Sequence, residues 1–425
     1  MLKNGGASVA MGKIVSAFGK KFVSAMPKGD KRTGISHQNF ISGLVFFFSG
    51  DSKSVSLEAM RRHLVATFGK EISRSAFWER LSRKRLRNIL TDLISKLIVE
   101  FSTAAVLGAN ILTLLGVNAI LLIDSSSITL WDGAKKKFPG TRTHAGIKWH
   151  ACFDLFTGGA TWLETSSTSV HDRKCFPPFE TLFGKLIIFD LGYWDYGLLI
   201  SINSASGFFL SRIKINSAIM VKKVVNGIKS KHIGKKISQL NFKKNVGDIV
   251  EFIADISADN TVKEFRVIGF WNKSEKKYHW YITNLRVLAA VIYPLYKIRW
   301  QIELIFKGCK RSLNLDGRLQ SNNENIIEAL VLTTIVASLA SVVVLKIGRE
   351  ELNTEQKLAV SFQRVYMVTA LLARQFTEYL ASPSKKYLHA LLEKIRLLSA
   401  EMFEKNYTKR PTTMMKLLDE LVGAS

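Results

Sequence analysis

An α/β chain with helical regions at both ends is the fold class this sequence predicts. Three observations lead there. Two short, wholly apolar runs, Ala119-Ile120-Leu121-Leu122-Ile123 and Leu186-Ile187-Ile188-Phe189, read as buried central strands, and each exits into an acid, Asp124 and Asp190. Strand and helix character alternate from Asn118 to Leu199. Helical patterning fills Val55 to Leu97 and returns beyond Ala329. At 425 residues the chain is long enough for two to four structural units.

Met1 to Gly50 mixes basic residues with one apolar run, Leu44 to Phe48. Met11 to Met26 is basic and amphipathic. It reads as a basic arm or short helix, in a pattern that an organellar transit peptide shares. Ser56 is placed to cap a helix over Leu57 to Phe68, with Gly69 as its stop. Glu71 to Leu81 reads as a turn and a second helix, a layout that suits a helix-turn-helix reader of DNA. Arg74, Arg80, Arg83, Lys84, Arg85 and Arg87 crowd this region. Arg74 and Arg80 are the candidate phosphate contacts; a helical bundle with a solvated basic face fits the same pattern.

Ala119 to Asp124 and Ile128 to Trp131 read as extended. Gly146 to Phe156 and Gly159 to Thr165 read as a hairpin turning at Thr157-Gly158-Gly159. His171-Asp172 follows in a loop, then a strand over Leu186 to Asp190 and a helix over Tyr193 to Asn203. Phe208 to Arg212, Asp248 to Ile256, Phe265 to Trp271 and Tyr278 to Thr283 read as further strands. Lys222, Lys223, Lys229, Lys231, Lys235, Lys236, Lys243 and Lys244 make their joining segment strongly basic. The distance from Asp190 to Glu303 is too long for an ordinary connection. A helix is predicted from Tyr293 to Leu315, with Pro294 suited to its first turn or to a kink. Ala329 to Leu345 is uncharged and apolar, a marginal membrane-span pattern by length. Its Thr333, Thr334, Ser338 and Ser341, and the lack of a second such stretch, favour a buried helix packed on the sheet. Phe362 to Leu380 and Lys385 to Phe403 read as two helices separated by Ser382-Pro383-Ser384.

Lys and Arg number 61 against 34 Asp and Glu, a net charge of +27. Such a balance attracts polyanions, nucleic acid first among them. Cys152, Cys175 and Cys309 have neither zinc spacing nor an even count, which points to a reducing compartment. The sequence contains no phosphate-cradling Gly-rich loop with its Lys, no nucleophilic Ser elbow and no metal-spaced Cys/His set.

On a helix at ~100° per residue, Tyr296, Arg299, Glu303 and Lys310 fall within an arc of roughly 60°. Ile298, Ile302 and Ile305 form a separate apolar stripe. A surface ion pair between Arg299 and Glu303 would account for the spacing. So would a site in which Glu303 meets the two strand-end acids.

The spacing Tyr296-x2-Arg299-x3-Glu303-x6-Lys310 resembles the signature of the insertion-sequence-four family of DDE transposases. Asp124-Ser125-Ser126 resembles that family's first acid motif. Asp190-Leu191-Gly192-Tyr193-Trp194-Asp195 resembles its second, with Leu191 where an Arg is usual. Thr283-Asn284-Leu285 is also similar, and the resemblance covers roughly Asn118 to Leu315. It implies an RNase H-like catalytic core interrupted by a β-rich insertion, with helical N- and C-terminal regions. The expected regions are then 1–110, helical and DNA-binding; 117–200, the first part of the core; and 201–284, the β-rich insertion. The second part of the core is expected at 285–348, and a helical region with a possible dimer contact at 349–425.

Cleaving a phosphodiester suits two divalent ions on hard oxygen ligands, Mg2+ or Mn2+ on two Asp and a Glu. The resemblance implies that Asp124 bridges both ions while Asp190 and Glu303 hold one each. It implies that Tyr296, Arg299 and Lys310 contact DNA near the cut. Trp280, or else His279 or Trp194, would stack a flipped base, although Trp280 also fits as ordinary core. His171-Asp172 fits a loop hydrogen bond, and Asp132 and Asp195 fit solvated or supporting acids. The implied activity is cut-and-paste transposition: a dimer acting on double-stranded terminal inverted repeats and target DNA, in the cytoplasm at the bacterial nucleoid, with no membrane. A DNA-binding protein that keeps the fold without catalysis is the alternative.

Overall fold

The computed structural model describes residues 5–27, 34–48, 56–101, 109–141, 144–240, 247–319 and 321–422. Its organising element is a nine-stranded sheet in the order β3-β2-β1-β4-β5-β9-β8-β7-β6. The strands are β1 (Ala119–Thr129), β2 (Gly146–Asp154), β3 (Ala160–Ser167), β4 (Lys185–Phe189), β5 (Phe208–Arg212), β6 (Lys223–Asn226), β7 (Ile249–Ala258), β8 (Thr261–Asn272) and β9 (Lys277–Thr283). β1, β2 and β3 form an antiparallel meander, and β4 and β5 lie parallel to β1 on its other side. That arrangement of five strands is the RNase H-like core.

The helices, in chain order, begin with α1 (Gly5–Ser24), α2 (His37–Val45), α3 (Leu57–Phe68), α4 (Arg74–Ser82), α5 (Lys84–Phe101) and α6 (Ala109–Leu115). α7 (Tyr196–Ser204) follows β4. After β9 come α8 (Ala289–Lys297), α9 (Trp300–Arg311), α10 (Leu315–Arg318), α11 (Glu324–Glu350), α12 (Thr354–Leu358), α13 (Phe362–Leu371), α14 (Ala373–Ala381), α15 (Lys385–Leu398) and α16 (Thr413–Val422).

Local chemistry accounts for many of these boundaries. Ser56 and Ser73 accept backbone N–H bonds at the starts of α3 and α4, and Gly69 ends α3 in the left-handed region at φ 61°. Asp195 caps α7 and Asn323 caps α11. Met11, Val15, Phe18 and Phe22 of α1 are buried, so this basic segment is a core helix and not a free arm. The apolar α11 is also enclosed: 89% of its most hydrophobic window is buried, against α5, α13 and α1 among others.

Alternation along the strands divides the core into two layers. Ile120, Leu122, Leu186 and Ile188 face the layer that contains Ile302 and Ile305 of α9. Leu121, Ile123, Ile187 and Phe189 face the opposite layer, with Tyr193 and the α7 residues Leu199 and Ile202.

Several predicted boundaries shift. The two segments expected between Ala119 and Trp131 are one strand, because β2 pairs with it continuously from Leu121 to Thr129. Phe208–Arg212 lies within the predicted insertion, yet it pairs in parallel with β4 and completes the core sheet. β9 then pairs with β5, so β6 to β9 extend the same sheet. Arg266 on β8 fastens this extension to the chain entering α8: its guanidinium donates to the Leu285 and Val287 carbonyls at 2.6 and 2.7 Å, and to Glu251 at 2.7 Å. Pro294 lies inside α8, and the predicted single helix breaks at Ile298 and Arg299. There the bonds from Ile298 to Leu295 and from Arg299 to Tyr296 close tighter, three-residue turns. The helix predicted over Phe362 to Leu380 divides at Leu372 into α13 and α14. Lys243 and Lys244 lie outside the described residues.

Candidate active site

The parity of two strands brings the aspartates together. β1 and β4 run parallel with Ile120 opposite Leu186 and Leu122 opposite Ile188. Continuing that register by two residues sets Asp124 beside Asp190. Both acids project from the face on which α9 packs, because they follow the alternation of Ile120-Leu122 and Leu186-Ile188. α9 then delivers Glu303 from its first turn.

Arg299 lies at the centre. One terminal nitrogen donates to Asp124 Oδ2 at 2.8 Å and the other to Glu303 Oε1 at 2.6 Å. The Tyr296 hydroxyl donates to Asp190 Oδ1 at 3.2 Å. The side chains of Arg299, Asp124 and Glu303 keep 14%, 21% and 32% of their surface exposed, so this is a partly desolvated cleft floor rather than a surface ion pair. Lys310, one helical stretch further on, donates to the Ser127 carbonyl on β1 at 2.7 Å. All four residues of the polar stripe therefore face the central strands β1 and β4, which lead into the acids.

The electrostatics follow from crowding. Burial pushes the Asp124 carboxyl up to about 6, against the pull of Arg299 and the Ser125 N–H, and Asp190 and Glu303 push the same way as burial. Burial works against the charge on Arg299, but Tyr296, Asp124, Asp190 and Glu303 together hold its value above the usual one. Burial, reinforced by Asp190, raises the Tyr296 phenol, which therefore stays protonated as a donor.

Among the described residues, no three His, Cys, Asp or Glu side chains already stand around one point as metal ligands. The donor set nevertheless fits a hard cation. Its ligand atoms are carboxylate oxygens, and a guanidinium already stands as a cation between two of them.

Other predicted residues lie elsewhere. Arg74 is largely exposed and only loosely paired with Glu58 at 3.4 Å, near the exposed Trp78 on the same helix. Arg80 is turned inward: its terminal nitrogens donate to the Ile35 and Ser36 carbonyls at 2.6 and 3.1 Å, and it stacks on Phe40. Trp280 lies in the core, the second of the two places the sequence left open for it. It is 5% exposed and packed on Phe252 and Tyr278 with Gly269 beneath its ring. His279 is taken up by Glu275 at 3.2 Å, and Trp194 packs on Tyr196. Asp132 bonds the Ala145 N–H, and Asp195 caps α7.

Sequence reasoning missed the central position of Arg299 between two acids, and it passed over Lys148 entirely. The signal for Lys148 was available: a lysine alternating with His150 and Cys152 in an otherwise apolar strand.

The chain is similar in sequence to known transposases. A family model described as the transposase DDE domain matches residues 116–339. The transposase for insertion sequence element IS1151 of Clostridium perfringens is 21% identical over 375 residues, which cover 76% of this chain and 78% of that one. A Sinorhizobium fredii protein named as transposase y4zB is 26% identical over 193 residues, 45% of this chain and 51% of its own. The transposase for element IS231F of Bacillus thuringiensis subsp. israelensis is 22% identical over 268 residues, 53% of this chain and 55% of its own. The match thus spans about half the length of the Sinorhizobium and Bacillus relatives. A cryo-EM structure of a piggyBac transposase synaptic complex with hairpin DNA aligns over 90% of this chain and 82% of its own, with a TM-score of 0.48 and 12% identity.

Proposed function

The chain belongs to the transposase DDE domain family, and from that premise we propose that it is a cut-and-paste DNA transposase of the insertion-sequence-four type. It binds the terminal inverted repeats of its element and cuts and rejoins DNA through Asp124, Asp190 and Glu303. One observation carries the reading. Two parallel strands and a distant helix converge their acids on a single cleft, with a cation, the Arg299 guanidinium, already between two of them.

Asp124, Asp190 and Glu303 are the residues that would hold divalent cations, Mg2+ or Mn2+. Bound there, the ions would generate an oxygen nucleophile at neutral pH and offset the charge that develops on the phosphoryl group. The chain's own residues do the rest. Tyr296 keeps its proton and orients Asp190. Arg299 leaves its acids and offers its planar fork to a DNA phosphate. Lys310, half-buried at the end of the same stripe, adds a point charge to the backbone beyond. Hydrolysis frees a DNA 3′-hydroxyl, which attacks a second phosphodiester, so no covalent protein–DNA bond is required. The net charge of +27 supplies attraction to the backbone, with Arg74 among the contacts on the N-terminal helices. The working form is a homodimer pairing two ends in the cytoplasm, on nucleoid DNA.

The test is a nicking assay on labelled end DNA with Mg2+, using wild type and Glu303→Gln. The variant keeps size and packing but loses a ligand charge. It should bind the ends in a gel shift and leave them uncut. Normal cutting by Glu303→Gln would reject the site.

A further inference from the structure

Behind the acids, on the opposite face of the sheet, lies a second polar cluster that the proposed reaction does not use. Ser125 follows Asp124 in β1, so its side chain points the other way. Its Oγ donates to Asp172 Oδ1 at 2.9 Å. Lys148, on the neighbouring β2, donates to the same oxygen at 2.8 Å and to the Val170 carbonyl at 2.8 Å. His150, the cross-strand partner of Ser125, is fully buried with Nδ1 3.9 Å from that oxygen. Burial lowers the imidazole to about 4, so it stays neutral. The other Asp172 oxygen lies against the backbone of Gly192, where an added Cβ would come within 2.9 Å of it. Gly192 belongs to the short turn that follows Asp190.

One carboxylate therefore touches the residue after Asp124 and the turn after Asp190. Lys148 balances its charge, with 11% of its own side chain exposed and 24% of that of Asp172. With that balance Asp172 is a support and not another ligand. Its loop position, between β3 and β4, puts it within reach of both acid-bearing segments from behind.

We propose that Asp172, held by Lys148, is a positioning residue that fixes the backbone beneath Asp124 and Asp190 in the spacing a divalent cation needs. The inference rests on the reading that these acids bind such cations. Groups that orient ligands from behind alter metal affinity by about 10–100-fold when removed. Asp172 acts through Ser125 and through close packing on Gly192, so the loss should fall on ion binding and not on DNA binding.

The experiment titrates full-length protein with Mn2+ alone and follows the free ion by electron paramagnetic resonance. Wild type, Asp172→Ala, Ser125→Ala and Asp124→Asn are compared, with melting temperature and end-DNA binding measured in parallel. Asp172→Ala should weaken Mn2+ binding about tenfold or more while DNA binding holds. Ser125→Ala, which removes only one bond to the carboxylate, should give a smaller loss in the same direction. Asp124→Asn should abolish tight binding. If Asp124→Asn loses the ion while Asp172→Ala binds it like wild type, this inference is overturned and the functional reading stands. A lower melting temperature with unchanged Mn2+ affinity overturns it equally, since Asp172 would then be merely structural. If Asp124→Asn binds like wild type, the functional reading itself fails and takes the inference with it. Should Asp172→Ala not fold, Ser125→Ala decides the matter, and wild-type Mn2+ affinity in that variant overturns the proposal.

Discussion

Arg299 donates a 2.8 Å hydrogen bond to Asp124, 175 positions earlier in the chain. The same guanidinium holds Glu303 at 2.6 Å. One cation thus offsets two acids that would otherwise repel each other in a poorly solvated cleft. Removing it leaves uncompensated buried charge, a change that costs about 3–5 kcal/mol where pairs are well buried. Arg299→Ala should lose part of that stability, less than the full figure because the cleft is only partly desolvated, measured by urea unfolding in chelator, and Mn2+ should restore some of it. Stability equal to wild type in chelator would show that the bridge is energetically idle.

Asp124 should make stability depend on pH. Its folded value of about 6 lies above the ordinary 3.8. The folded state therefore holds this proton more tightly than the unfolded chain. The stabilising contribution is complete below the ordinary value and is lost as pH rises through about 6. A gap of about two pH units corresponds to roughly 3 kcal/mol. Asp124→Asn, uncharged throughout, should therefore gain stability relative to wild type between about pH 4 and 6 in metal-free buffer, then level off. Parallel pH profiles for the two proteins would contradict this.

Trp280→Ala should behave as a core truncation, with a loss of about 3–5 kcal/mol. The ring is packed on Phe252 and Tyr278 and has no open face for a base. Calorimetry would register the loss directly. A variant with wild-type melting and a selective defect on DNA would restore the stacking role.

Arg74 and Arg80 should separate in a salt titration of DNA binding. Arg74→Ala removes an exposed cation, and the log–log salt slope should fall by about 1. Arg80→Ala should leave the slope unchanged and lower stability, because its bonds go to the Ile35 and Ser36 carbonyls. Equal effects on the slope would mean that the inward position of Arg80 does not persist on DNA.

The proposal that two copies meet through the C-terminal helices can be tested on their surface. Leu371 is 61% exposed and Met367 39%, so these two apolar side chains of α13 are available to a second copy, whereas Leu372 is buried. Deleting from Ser384 onward would strip Leu391, Leu392 and Ile395 from the core, so point changes are the cleaner probe. Leu371→Asp with Met367→Asp should keep the fold and reduce paired-end complexes in a gel shift. Undiminished pairing would place the contact elsewhere.

The acids were legible because a charged residue at the exit of an apolar run is a local signal. Arg299 and Glu303 were legible as neighbours because helical spacing is also local. The sequence does not specify what Arg299 touches, since the partner in β1 is remote and only tertiary packing brings the two together. Trp280 shows the same limit from the other side. Alternation along β9 indicates that the ring points to one face, but not that this face is covered by Phe252 and Gly269 from other strands. Phe208–Arg212 looked like an insertion strand because apolar strands look alike until their pairing is known. The break at Ile298 and Arg299 has no Gly or Pro to announce it; Pro294, which does stand out, lies inside a helix.

Arg266 ties the outer strands to the segment that leads into α8. With its guanidinium clamped on Leu285 and Val287, β8 cannot pivot away from the segment that leads into α8. β7 and β9 pair with β8 on either side, so the four outer strands share this side-chain tie to the chain entering α8. A single residue added between Ala289 and Arg299 would turn Glu303 about 100° away from the aspartates.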